Sequence, residues 1–165
     1  MIEAVKTFLI ETVGAYGSVF FCSMLPVIEL RGAIPLGSVL GVPMLSCYAI
    51  AVLGNLLPIP FILLLIRKVL EGMKRIPGAR RVALWLERKA EKNRVKVERY
   101  AFWGLLLFVA IPLPGTGAWT GSLVAALMGM RFSKAMLSIV GGVLIAGIVL
   151  AAASYGLLAV FSAWF

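Results

Sequence analysis

Apolar residues run through this chain in long uncharged blocks, and the breaks between blocks fall at prolines, glycines and a few charges. Residues 1–11 carry Glu3, Lys6 and Glu11 and read as an interfacial segment, while residues 12–28 are uncharged and close around Pro26. The next apolar arm, Gly32 to Leu40, is about nine residues long, or ~14 Å as a helix, half the hydrocarbon thickness of a bilayer. Gly41-Val42-Pro43 predicts a turn. Met44 to Ile66 then offers 23 uncharged residues, enough to span a membrane. Beyond a charged stretch the pattern returns. Ala101 to Leu113 is a short apolar arm, Pro112-Leu113-Pro114-Gly115-Thr116-Gly117 is a second break, and Ala118 to Met130 is a return arm closed by Arg131 and Lys134. Ala135 to Ala163 is one long apolar span with Gly141, Gly142 and Gly147 inside it.

An arm too short to cross has to return to its own side. Each half therefore reads as a re-entrant helical hairpin followed by one transmembrane helix. The expected architecture is an all-α integral membrane protein with a first repeat over 1–66, a basic amphipathic linker over 67–100 and a second repeat over 101–165. A hairpin adds no net crossing and the span adds one, so the second repeat enters from the opposite side, which makes the repeats inverted. Weak internal similarity agrees: Gly32-Ala33 follows the first break as Gly117-Ala118 follows the second, and Gly37/Gly41 and Gly117/Gly121 share the GxxxG spacing. Broken backbone at membrane depth needs protein or a water-filled cavity to satisfy its polar groups. That requirement marks Pro26, Gly32, Pro35 and Gly37 in the first hairpin, and Pro112, Pro114, Gly115 and Gly117 in the second.

Composition strengthens the membrane reading: of 165 residues 62% are hydrophobic, and the mean hydropathy is +1.03. The net charge is +9, and residues 67–99 hold twelve basic against four acidic residues, so nearly all of it belongs to one loop. A short Lys/Arg-rich loop between membrane segments is the positive-inside signal and places that loop in the cytoplasm. Within it, Val82, Trp85 and Leu86 share one face of a mixed-charge helix, which fits a helix lying on head groups or a solvated helix that only sets orientation. No recognition motif supports nucleic-acid binding. The chain has no His and no Asp, which excludes a Ser-His-Asp triad, a His metal site and an Asp-based magnesium site. An enzyme is not expected, and neither a metal nor a cofactor is implied. Cys22 and Cys47 read as small buried hydrophobes, and the N-terminus lacks the features of a cleaved signal peptide.

The chemistry concentrates in Glu29 and Arg31, the only charges between Thr12 and Ile66. Charges at membrane depth are rare unless paired or facing a polar cavity. Arg31 is a candidate ligand for an anionic head group, aided by N–H groups at helix starts after Pro35 and Gly117. Glu29 is a candidate proton carrier, since a buried carboxylate can take and release a proton. The alternative is a structural salt bridge. Asn55 lies mid-span between Gly54 and the pair Pro58 and Pro60, either as a helix–helix hydrogen bond or as a substrate contact. Thr116 and Thr120, beside the second break, complete the candidate substrate-binding set.

Glu29-Leu-Arg-Gly-Ala-Ile-Pro-Leu-Gly37 and Pro112-Leu-Pro-Gly-Thr-Gly-Ala-Trp-Thr-Gly121, together with the chain length, resemble the small multi-drug export protein family. More distantly the chain is similar to the DedA (SNARE-associated, VTT-type) membrane proteins, whose final element Gly129-Met130-Arg131-Phe132 resembles. Thr116 and Thr120 stand where the DedA pattern has arginines. The resemblance implies a multi-pass transporter of a prokaryotic inner membrane with two re-entrant helices, and the DedA likeness implies lipid translocation, including polyprenyl phosphates. The expected function is a transporter or flippase for an amphipathic, anionic or lipid-like substrate, proton-coupled and in contact with membrane lipids. Alternatives are an exporter of cationic drugs and a non-transport scaffold or regulatory subunit. With so little surface in one chain to enclose a pathway, a homo-oligomer is expected.

Overall fold

The computed structural model describes residues 2–73, 94–113 and 115–164, and every regular element among them is a helix. In order these are α1 (Ile2–Met24), α2 (Glu29–Val39), α3 (Met44–Leu56), α4 (Ile59–Met73), α5 (Arg94–Ala110), α6 (Ala118–Leu127) and α7 (Phe132–Trp164). The expected head-group helix with Val82, Trp85 and Leu86, and Pro114 of the second break, lie outside the described residues.

The first break is narrower than its prolines and glycines imply. Only residues 25–28 leave the helical path, and α2 runs through Gly32, Pro35 and Gly37. No helix starts after Pro35; it sits inside α2, where it has no N–H to give the carbonyl of Arg31 four residues earlier. Packing outweighs that loss, because Ala33, Ile34 and Gly37 are buried along the inner face of the helix. In the N-terminal segment helix begins at Ile2, and its irregularity is at Gly14, with φ 73° and ψ −179°. The Ser18 hydroxyl donates to the Gly14 carbonyl at 2.8 Å, satisfying one group that the kink exposes.

The long apolar run 44–66 divides into α3 and α4 at Leu57 and Pro58. Pro58 and Pro60 carry no N–H, so the carbonyls of Gly54 and Leu56 receive no helical hydrogen bond at the usual spacing. In the second half α6 starts after Gly117 as expected. Gly117 precedes it with φ 128°, a conformation that L side chains rarely adopt. α7 is continuous from Phe132 to Trp164.

Among the described residues two segments are long and apolar enough to cross a membrane, Met44–Ile66 and Phe132–Gly156. Large apolar side chains stand exposed along them, including Leu45, Leu53, Phe61 and Leu65 on the first and Leu137, Ile145 and Ile148 on the second. Apolar surface that continuous suits lipid and not water.

The chain groups into two compact units, one of residues 1–58 with 143–165 and the other of residues 59–142. In the first, α1, α2 and α3 pack on one another. The C-terminal half of α7 joins them through two tyrosine hydroxyls: Tyr48 donates to the Leu144 carbonyl at 3.3 Å, and Tyr155 to the Val42 carbonyl at 2.6 Å. Gly147 allows the close approach, since a Cβ there would lie 2.7 Å from the Tyr48 ring. In the second unit α6 packs on α4 and α5. The start of α7 meets α5 through the Ser138 hydroxyl, which donates to the Phe102 carbonyl at 2.6 Å. A Cβ on Gly142 would lie 2.6 Å from Val109 Cβ and 2.8 Å from the Leu106 carbonyl.

The two GxxxG spacings are built differently inside the chain. Gly37 and Gly121 pack inside their own units, against Val19 and Cys47 and against Val109 and Leu105 respectively. Gly41 and Gly117 are positive-φ turn and cap residues instead.

Candidate functional site

The polar groups of the first unit gather at the level of the hairpin tip, and the register of its helices fixes that level. α2 and α3 are antiparallel across the turn at 40–43. Gly37 lies against Cys47, whose thiol donates to the Ile34 carbonyl at 3.7 Å. Stepping four residues along each helix from this contact brings Ala33 level with Ala51, both fully buried. The third helix reaches the same level. Gly54 faces Ser23 and the Phe20 carbonyl so closely that a Cβ would lie 2.5 Å from that oxygen. Small residues along the α2–α3 seam and Gly54 on α3 thus let three helices close around the tip.

Glu29 opens α2 and is only 5% exposed. Its N–H donates to the Leu25 carbonyl at 2.9 Å. Its φ is +46°, and among the described residues it is the only non-glycine with positive φ. Such backbone strain costs on the order of 1–3 kcal/mol and gathers where structure serves function. Arg31, two residues on, is partly exposed. The pair therefore divides into a sequestered carboxylate and a more accessible guanidinium. Pro26 is exposed on the tip, and Gly32, partly buried one turn into α2, packs against Ile28.

Asn55 is 1% exposed, and neither its Oδ1 nor its Nδ2 has a hydrogen-bond partner. Among the described residues no helix–helix hydrogen bond to Asn55 is made. Ser23, missed in the sequence, is fully buried at the same level, where its hydroxyl donates to the Phe20 carbonyl at 2.7 Å. Nothing in its apolar surroundings sets it apart; only the closeness of Gly54 does. Cys22 and Cys47 are buried and form no disulfide, as expected of small apolar side chains.

The second break supplies different chemistry. The Thr116 hydroxyl donates within its own loop, its proton shared between the carbonyls of Ile111 and Leu113 at 2.8 Å each. Its donor is therefore committed to holding the turn after α5. Thr120 is partly buried on the first turn of α6, Pro112 is partly buried before the loop, and Gly115 is exposed with φ 83°. Glu29, Arg31 and Asn55 belong to the first unit, and Thr116 and Thr120 to the second.

A family model described as "Putative small multi-drug export protein" matches residues 29–149, from the strained glutamate into the last helix. No curated protein and no solved structure matches the chain. The match carries the export-family resemblance and not the DedA one.

Proposed function

This chain belongs to the small multi-drug export protein family, and from that premise we propose a membrane transporter that moves an amphipathic, anionic or lipid-like substrate in exchange for protons. Arg31 binds the anionic head group, and Glu29 takes and releases the coupling proton. The observation that carries this reading is the split within the pair: Glu29 is buried on strained backbone while Arg31 stays partly exposed. The positive φ puts backbone strain at the glutamate of the pair, and such strain gathers at functional sites. A site for cationic drugs is disfavoured, since Arg31 offsets the negative charge two residues away. The scaffold alternative has no such feature in its favour.

The make-up of the compact units supports inverted repeats. One unit combines the first hairpin, the N-terminal half of the first span and the C-terminal half of the second. The other combines the second hairpin, the N-terminal half of the second span and the C-terminal half of the first. The same exchange in both directions is what a pseudo-two-fold relation produces.

The test is uptake of a lipid-phosphate amphiphile into proteoliposomes, with and without a pH gradient, for Arg31→Ala, Arg31→Lys, Glu29→Gln and the double neutral variant. Arg31→Ala abolishes binding, and Arg31→Lys restores it only in part, because Lys lacks the planar fork that grips phosphate. Glu29→Gln keeps binding and exchange but loses gradient-driven accumulation. Full transport by the double variant would reduce the pair to architecture.

A further inference from the structure

Near the first hairpin tip the side-chain amide of Asn55 is buried without a hydrogen-bond partner among the described residues. Its surroundings add acceptors: the carbonyls of Gly54 and Leu56 lose their helical donors to Pro58 and Pro60. A group that completes this site has to give protons to acceptors and also accept one from Nδ2. A metal cation or an ammonium group serves the acceptors and leaves Nδ2 unpaired. A phosphate diester serves Nδ2 alone. A hydroxyl does both, donating through its O–H and accepting on its oxygen.

We propose that Asn55 is a specificity residue that reads a hydroxyl on the head group of the substrate, so that the transported amphiphile joins an anionic phosphate to a glycerol- or sugar-like group. The phosphate half rests on the transport reading above, with Arg31 as its ligand, whereas the hydroxyl half rests on Asn55. The break at Leu57 and Pro58 directly follows the residue and gives α3 a hinge beside the site. A site built to hydrogen-bond a hydroxyl rejects an analogue without one, because its buried polar groups are then left unpaired.

Phosphatidylglycerol and phosphatidylethanol make the matched probes: both carry one phosphodiester charge, and only the first bears head-group hydroxyls. Native mass spectrometry of the full-length protein, released from mixed micelles with each lipid in turn, reads the bound fraction. The wild type retains phosphatidylglycerol at least about fivefold more than phosphatidylethanol. Asn55→Ala and Asn55→Leu bring that ratio to about one and leave phosphatidylethanol binding unchanged. Asn55→Leu guards against misfolding, since it fills the site with apolar volume. A wild type that binds both lipids equally overturns the proposal, as does a preference that survives both variants; Asn55 is then satisfied by buried water. If neither anionic lipid binds, the reading of Arg31 falls. Diacylglycerol, with a hydroxyl and no charge, then decides the hydroxyl half against its methyl ether: an Asn55-dependent preference upholds it, and none overturns it.

Discussion

At the scale of single residues, the site holds two conformational or solvation costs that folding alone does not require. Glu29 sits at φ +46°, and Asn55 buries an amide with no hydrogen-bond partner. An unpaired buried amide costs about 1–3 kcal/mol, and replacing it by an apolar side chain of similar size recovers much of that. Asn55→Leu is therefore expected to raise the thermal midpoint of the ligand-free protein in detergent, by the equivalent of about 1–3 kcal/mol. A fall in midpoint would mean that the amide has a partner. Stabilisation together with lost function is the usual mark of a residue kept for activity. The sequence made both residues legible as types, because a lone Glu–Arg pair and a mid-span Asn stand out in an apolar chain. It could not show which reading of Asn55 holds. That depends on whether a neighbouring helix presents a partner, which is a fact of packing.

At the scale of elements, prolines and glycines located the breaks but not their extent. Gly32, Pro35 and Gly37 read as breakers, yet α2 passes through all three, because burial of its inner face outweighs local propensity. Thr116 read as a ligand, and the structure gives its proton to two carbonyls of its own loop. Glycines that read as a dimer motif are turn residues or contacts inside one unit. Spacing alone cannot separate a glycine that packs from one that turns. The distinction is measurable at Gly54 and Gly104. A Cβ on Gly54 meets Ser23 and the Phe20 carbonyl, backbone that cannot step aside, whereas one on Gly104 meets nothing within 4 Å. Gly54→Ala is expected to destabilise by about 1–3 kcal/mol, as overpacked cores do. Gly104→Ala, inside α5, is expected to stabilise by about 0.5–1 kcal/mol through helix propensity. Thermal midpoints of the two variants in the same detergent check both signs, and a stable Gly54→Ala would show that α1 and α3 do not close at this level.

At the scale of the whole molecule, the charge pattern and the hairpins have to agree on one topology. On the proposed topology a hairpin returns to its own side and a span changes side, so that the basic stretch 67–99 and the Arg131/Lys134 turn are expected on one face and the two termini on the other. The run 44–66 keeps its length as a candidate span even though α3 and α4 break inside it, so the crossing count is unaffected by the break. An oligomer remains the expectation because one chain has little surface to enclose a pathway. Topology is the sharper test, since it depends on every hairpin and span at once. Cys22 and Cys47 are buried, so replacing both by Ala gives a background for single cysteines placed at residue 3, residue 89 and residue 164. In cells, a membrane-impermeant maleimide is expected to label the two ends directly and position 89 only after permeabilisation. If either hairpin were instead a single crossing, its end of the chain would move to the cytoplasmic side while the other stayed outside. If both arms of the first hairpin crossed, the termini and the Gly41–Pro43 turn would stay where they are, and the tip at residues 25–28 would carry the decision. A re-entrant tip does not reach the cytoplasmic face, so a cysteine at Val27, exposed at the tip, is expected to gain no labelling on permeabilisation. Labelling of Val27 from the cytoplasmic side alone, with outward termini, would make the first hairpin a crossing pair in place of a re-entrant one.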